Sequence, residues 1–193
     1  MNVVQTRLSK NPFSFSLEKA CQAEATILQL EPHRQMNSHR LLKLLYVADR
    51  AALQEMGRPI IGGRLLATTR GPVHSAILDL MHGRAADAVS WTKLFRPQHY
   101  HLEMFAHPGN DALSKREIDI LNRVRTEHES RDDVELGEFA ANFPEFANNL
   151  PLDGNPREIP FDQLLAAVGR SADQAQIEKE AREKAVFDNV FGV

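Results

Sequence analysis

The chain has few of the residues that crosslink a protein or anchor it in a membrane. Cys21 is its single cysteine, so an intramolecular disulfide is impossible and a reducing compartment is expected. No stretch of 18 consecutive apolar residues occurs, so we predict no membrane-spanning helix and no membrane partner. The N-terminal sequence MNVVQTRLSKNPFSF lacks the apolar stretch of a secretory signal peptide. Together these absences predict a cytoplasmic protein.

The usual sequence signatures of catalysis are missing as well. The glycines at 62–63 and the Gly71-Pro72 pair match neither a Walker motif nor a dinucleotide fingerprint. Cys21 lies among the inward positions of a predicted helix, and no histidine or asparagine partner can be assigned to it, so a buried structural thiol is favoured over a nucleophile.

Histidine gives only a weak indication of a metal site. His99 and His101 share one face of a predicted strand, which some metal sites use, but only Glu103 continues that face. An exposed strand face is favoured over a metal site. The sequence therefore predicts no metal, no cofactor and a protein that is not an enzyme.

Composition and charge are those of an ordinary folded domain with an uneven charge distribution. Apolar residues make up 42% and charged residues 25% of the chain, which favours one globular domain. Residues 1–96 carry 13 Lys and Arg against 7 Asp and Glu, whereas residues 97–193 carry 10 against 19. Either two solvated faces or a dipole that steers a charged partner protein explains this asymmetry. The basic half lacks interleaved aromatic residues, so direct nucleic-acid binding is not favoured.

Hydrophobic periodicity predicts a mainly α fold, a single-domain helical bundle with a small antiparallel β-sheet of two or three short strands. Strands are predicted at 65–69 and 100–106, where they can pair with each other. Residues 83–98 and 147–160 are predicted loops. Helices are predicted over 15–30, 38–56, 72–82, from a capping box at Ser114 and Glu117 onward, and over 134–143, 160–168 and 172–191.

Three motifs resemble the Panacea domain family, which includes SocA-like antitoxins and phage-associated GepA-like proteins. They are KLLYVADR at 43–50, GRPIIG at 57–62 and RGPVHSAILDLM at 70–81. Weaker matches follow at 113–118, at 135–136 and at 159–161, so the resemblance covers residues 15 to 170. The chain departs from the family at 141–146, where ANFPEF replaces a histidine and a Pro-Trp pair.

The resemblance implies an organisation and a function. Residues 1–14 are then a flexible arm, 15–170 a Panacea-like domain and 171–193 a C-terminal helix. The implied function is that of an antitoxin, which binds and neutralises a cognate toxin directly or acts as an adaptor that presents it to a cellular protease. Two alternatives stay open: an enzyme of unknown reaction with a Tyr/Asp/His pocket, and a phage-borne protein that binds a host factor.

Partner-binding residues are predicted in two regions. In the first region, we expect a partner-binding surface bordered by Tyr46, Asp49, Arg58 and Arg70. Arginine suits such surfaces because its planar fork pairs with carboxylates. The alternative is an intramolecular set, made of Lys43, Tyr46, Asp49 and Arg50, that pins the helix to the glycine-containing turn at 57–64, which we call the glycine turn.

The second region is the C-terminal helix, whose i,i+4 charge pairs support an exposed helix. We expect it to dock at its apolar tip, where Phe187 and Phe191 contribute to toxin binding or to self-association as a homo-oligomer.

Two further sets are expected at the surface. Glu135, Glu138 and Glu145 form a solvated acidic face, and histidines 33, 39, 74 and 82 are caps or surface residues.

Overall fold

The structure is a computed structural model that describes residues 10–191. Residues 1–9 of the predicted arm and the side chain of Phe191 lie outside the described part. The helices are α1 (Leu17–Leu28), α2 (Ser38–Met56), α3 (Ser75–Met81), α4 (Ala88–Trp91), α5 (Lys115–Glu127), α6 (Asp133–Ala141), α7 (Pro144–Ala147), α8 (Phe161–Ala167) and α9 (Gln174–Phe191), with 3-10 turns at Pro32–Arg34 and Ser171–Asp173. The strands are β1 (Gln35–Asn37), β2 (Leu65–Thr68), β3 (Gly71–His74), β4 (Phe95–Gln98), β5 (His101–Met104) and β6 (Arg157–Glu158).

Helix α2 lies at the centre of the domain and confirms the predicted boundaries. The side chain of Asn37 accepts hydrogen bonds from the amides of His39 and Arg40 and so caps the N-terminus. Gly57 ends the helix in the left-handed conformation, with φ of 72°. Every residue from 41 to 49 is buried, so α2 contacts other elements on nearly its whole circumference.

The strands form two three-stranded antiparallel sheets, ordered β1-β5-β4 and β3-β2-β6. This confirms a mainly α fold with short antiparallel strands. The predicted pairing of 100–106 with 65–69 is wrong, because β5 pairs with β1 and β4. Strands β1, β4 and β6 lie where loops were expected or no element was predicted, since strands of two to four residues are too short to show a clear alternation.

The predicted helix start at Gly71-Pro72 is also wrong. Gly71, with φ of 101°, brings the chain back from β2 into β3, and Pro72 lies opposite Ala67 in that hairpin. The hydroxyl of Thr68 accepts the Arg70 amide and donates to the Gly71 carbonyl, which closes the turn. Helix α3 therefore begins three residues after Pro72.

Helix α9 packs on the domain through its first half. Ile177 and Ala181, four residues apart, are each 3% exposed, and a Cβ added to Gly57 at the end of α2 would lie 3.6 Å from the Ile177 side chain. Packing of α9 on the domain is therefore not confined to its apolar tip, where Val186 and Phe187 are more than half exposed. Within residues 10–191, no helix is long and apolar enough to span a membrane.

Candidate functional site

Four polar side chains follow one another along one face of α2. Lys43, Tyr46, Asp49 and Arg50 stand at i, i+3, i+6 and i+7, a spacing that aligns them on a helix. Lys43, Tyr46 and Asp49 are less than 5% exposed, so this face points into the domain. A buried polar face must find its partners internally.

Asp49 ties the glycine turn to α2. Its Oδ1 accepts the amides of Ile60 and Ile61, each at 2.9 Å. Its Oδ2 accepts the amide of Gly62 at 3.1 Å and lies 2.9 Å from Nε2 of His74. These contacts agree with the alternative in which Asp49 pins the helix to the glycine turn. They leave Asp49 no exposed oxygen that could bind a partner protein. His74 is fully buried, so the expectation of a surface residue is wrong. It occupies the N-cap position of α3, although its side chain makes no capping hydrogen bond there.

Tyr46 and Arg50 converge on a carboxylate from the segment that departs from the family pattern. The Tyr46 hydroxyl donates to Oε1 of Glu145 at 2.8 Å, and Nε of Arg50 donates to the same oxygen at 3.0 Å. Burial and the neighbouring Glu145 raise the pKa of Tyr46 well above its usual range. The Arg50 guanidinium also lies 4.2 Å from the centre of the Phe143 ring.

Glu145 is the residue of this cluster that the sequence missed. It was expected on a solvated acidic face but is 1% exposed. Its neighbours Phe143 and Phe146 were the available signal, since they place the segment against the core. The prolines and short helices around it hid the periodicity that would have shown which side faces inward.

Lys43 completes the buried set at the other end. Its Nζ donates to the carbonyl of Pro72 at 3.3 Å, and burial lowers the pKa of the ammonium to about 8. A Cβ at Gly71 would lie 2.6 Å from Cε of Lys43. The side chain therefore fits beside Gly71 because that residue has no side chain of its own.

The cluster encloses very little space. The cavity lined by Tyr46, Asp49 and Arg50 has a volume of about 10 Å³, enough for one water molecule. Small-molecule sites usually measure about 300–1,000 Å³. Among the described residues, no three histidine, cysteine, aspartate or glutamate side chains are placed to hold a metal ion. The arrangement braces α2, the glycine turn and α7 against one another.

Cys21 is the buried thiol that the sequence predicted. It is 5% exposed. Burial and the nearby Glu24 raise its pKa to about 12, so the thiolate form that acts as a nucleophile is strongly disfavoured.

The two predicted arginines lie on the surface at opposite ends of α2. Arg58 donates to Oε1 of Glu117 at 3.1 Å, beside Lys19, and its side chain is 41% exposed. Arg70 is exposed and bonds to Nε2 of His39 at 2.8 Å. Because α2 has 19 residues, its two ends lie about 27 Å apart. The structure thus separates the predicted residues into two buried ones and two distant surface ones.

Arg58 borders a long surface groove, which we call the α9 groove. It has a volume of about 540 Å³. It is lined by residues 12–16, 18–19 and 58–62, by Ala112, and by Ala181, Lys184, Ala185, Asp188 and Asn189 of α9. Phe187, 56% exposed, belongs to the same stretch of α9.

Comparison with known proteins gives a match to a family model. No curated protein and no solved structure matches the chain. The model described as antitoxin SocA-like, Panacea domain, matches residues 41–145. That range contains α2 from its fourth residue onward, the glycine turn, the β2–β3 hairpin and the buried cluster from Lys43 to Glu145. The chain therefore belongs to the SocA-like antitoxin family with a Panacea domain.

Proposed function

We propose that this protein is an antitoxin that neutralises a cognate toxin by direct protein–protein binding. The observation that carries the proposal is the family match over residues 41–145. The structure supports a binding protein over an enzyme centred on Tyr46 and Asp49, because the polar groups of these two residues are engaged internally around a cavity of about 10 Å³. A toxin would have to be bound on the surface of the domain.

The α9 groove is the surface that we propose for one part of this contact. Arg58 keeps 41% of its side chain exposed at the groove, and Phe187 and Val190, which do not line the groove, add exposed apolar surface on the same part of α9. Arginine and aromatic residues are common among the dominant contacts of protein interfaces. Phe191 is included in the proposal on sequence grounds.

Co-expression with the product of the neighbouring open reading frame tests the proposal. We expect that product alone to stop growth and this chain to restore growth and to co-purify with it. A strain without the cellular protease separates the two mechanisms, because direct neutralisation persists there and the adaptor mechanism does not. If the chain neither restores growth nor co-purifies, the antitoxin assignment is wrong, and a host-factor ligand or an enzymatic activity becomes the better hypothesis.

A further inference from the structure

Two hairpin turns from different sheets meet at the first turn of α2. The carbonyl of Tyr100, in the β4–β5 turn, accepts the amide of Ser38 at 2.7 Å. The guanidinium of Arg70, in the β2–β3 turn, lies 2.8 Å from Nε2 of His39. Ser38 and His39 are consecutive residues, so the two turns flank the same point. We call the surface formed by His39, Arg70, His82 and Tyr100 the α2 entry patch.

The α2 entry patch carries uncompensated positive charge. Within residues 10–191, Arg70 forms no ion pair, and its guanidinium bonds to the His39 ring. Burial lowers the pKa of His39, and the charges of Arg70, Lys43 and His82 lower it further. Asp133 acts in the opposite sense, but it already lies 3.6 Å from Arg40. A neutral His39 therefore accepts the Arg70 N–H, and no carboxylate balances the arginine.

At this patch, side chains rather than backbone amides are available to bind a ligand. The amide of Ser38 donates to Tyr100, and the amides of His39 and Arg40 donate to the side chain of Asn37. An incoming anion would consequently meet the guanidinium of Arg70 first. The bond to His39 holds that guanidinium in one orientation, which lowers the entropy that binding must overcome.

The shape of the patch suits a protein contact. Tyr100 is 69% exposed at the tip of its hairpin, and the preceding residue, His99, has φ of 52°, a strained value for a residue with a side chain. Tyrosine and arginine dominate many protein interfaces. A single arginine with two histidines is too small a set to follow a phosphate backbone, which takes several cationic contacts.

We infer that the α2 entry patch binds an acidic side chain of the partner protein, with Arg70 pairing with its carboxylate and Tyr100 packing beside it. This inference rests on the proposed function, because it names the chemistry by which the toxin is recognised. Arginine is suited to this role since its two parallel N–H groups match the two oxygens of a carboxylate.

Binding measurements on purified variants test the inference. The probe is the product of the neighbouring open reading frame, titrated against the full chain by calorimetry at low and at high salt. Arg70→Glu is expected to weaken binding about tenfold or more and to flatten its salt dependence. Arg70→Lys keeps the charge but loses the fork, so its affinity is expected to fall between those of the wild type and Arg70→Glu. Tyr100→Ala tests the same patch independently of Arg70.

Arg116→Glu is the matched control. Arg116 is similarly exposed and lies 4.0 Å from Glu55 near the far end of α2, so its reversal is expected to leave affinity unchanged. Thermal unfolding of each variant separates a lost contact from a lost fold. If the wild type does not bind, the proposed function fails and the inference falls with it.

Two other outcomes would overturn the inference alone. In the first, the wild type binds, and the folded Arg70→Glu and Tyr100→Ala variants bind equally well. In the second, a short DNA duplex binds the chain and loses affinity through Arg70→Glu, while the protein probe does not.

Discussion

Asp49 shows how one residue can hold a motif together. Its two oxygens accept three consecutive backbone amides of the turn at 60–62 and meet His74 of β3. One of the two interpretations of the sequence is that Asp49 pins α2 to this turn, because Asp49 aligns with Tyr46 on the helix. The sequence does not predict His74 as a partner, because this contact depends on the β2–β3 hairpin, where the sequence predicts a helix from residue 72 onward.

Replacing Asp49 by alanine leaves those buried amides without an acceptor. We expect Asp49→Ala to reduce the free energy of unfolding by about 3–5 kcal/mol, since it breaks a buried network from one side. Asp79→Ala, which removes the exposed partner of Arg84, is the control and is expected to cost less than about 1 kcal/mol. Urea unfolding of both variants measures the difference, and equal losses would contradict the anchoring role.

Glu24 gives the protein a stability that depends on pH. It is fully buried, Oε2 accepts the indole N–H of Trp91 at 2.8 Å, and burial raises its pKa from 4.5 to about 8. Between these two values the folded state keeps the proton and the unfolded state does not. Stability from this group is therefore present at low pH and falls by up to about 1.4 kcal/mol per pH unit as pH rises toward 8.

Glu24→Gln removes this titration while keeping the shape of the side chain. We expect the variant to gain stability relative to the wild type as pH rises from 4.5 to about 8, and the difference to level off above that. Urea unfolding across this range measures it. Parallel stability curves for the two proteins would show that Glu24 is ionised in the folded state.

At the scale of elements, capped and periodic segments could be predicted and short paired segments could not. The boundaries of α2 and the capping box of α5 were readable because their signals lie within a few residues of each other. Strands β1, β4 and β6 depend on partners from other parts of the chain. The burial of Glu145 is equally hard to predict from local sequence, because its partner Tyr46 lies 99 positions away.

Helix α9 divides into a packed half and an exposed half, which two substitutions can separate. Ile177→Ala removes a buried side chain and is expected to reduce the free energy of unfolding by about 2–5 kcal/mol. Phe187→Ser changes a side chain that is 56% exposed, so we expect a smaller loss of stability together with weaker toxin neutralisation. Growth assays measure neutralisation, and light scattering measures self-association. Lys179→Ser, on the exposed side of α9, is the control.

An unchanged Phe187→Ser variant would remove α9 from the proposed interface. If light scattering instead shows a wild-type dimer that Phe187→Ser dissociates, the exposed half serves self-association. Either result leaves the packing role of Ile177 intact, because unfolding measures that role separately.

At the scale of the whole molecule, much of the charge asymmetry between the two halves of the sequence is used internally. Basic side chains of the first half pair with carboxylates of the second across the fold. The pairs are Lys19 with Glu117, Arg40 with Asp133, Arg50 with Glu145, Arg58 with Glu117 and Arg64 with Glu158. These contacts connect α1, α2 and the glycine turn to α5, α6, α7 and β6, and Arg70 stands outside them.

Glu117 is the point where these cross-chain pairs are most concentrated. It is buried, which by itself raises its pKa, but the bonds from Lys19 and Ser114 outweigh burial and hold the pKa below 4.5. Its stabilisation is therefore present above pH 4.5 and lost as pH falls through the folded pKa. We expect Glu117→Gln to cost about 1.5–3 kcal/mol at neutral pH and progressively less below pH 4.5. Urea unfolding against pH measures this, with the exposed Glu180→Gln as control, and a deficit that persists in acid would mean that shape, not charge, matters at Glu117.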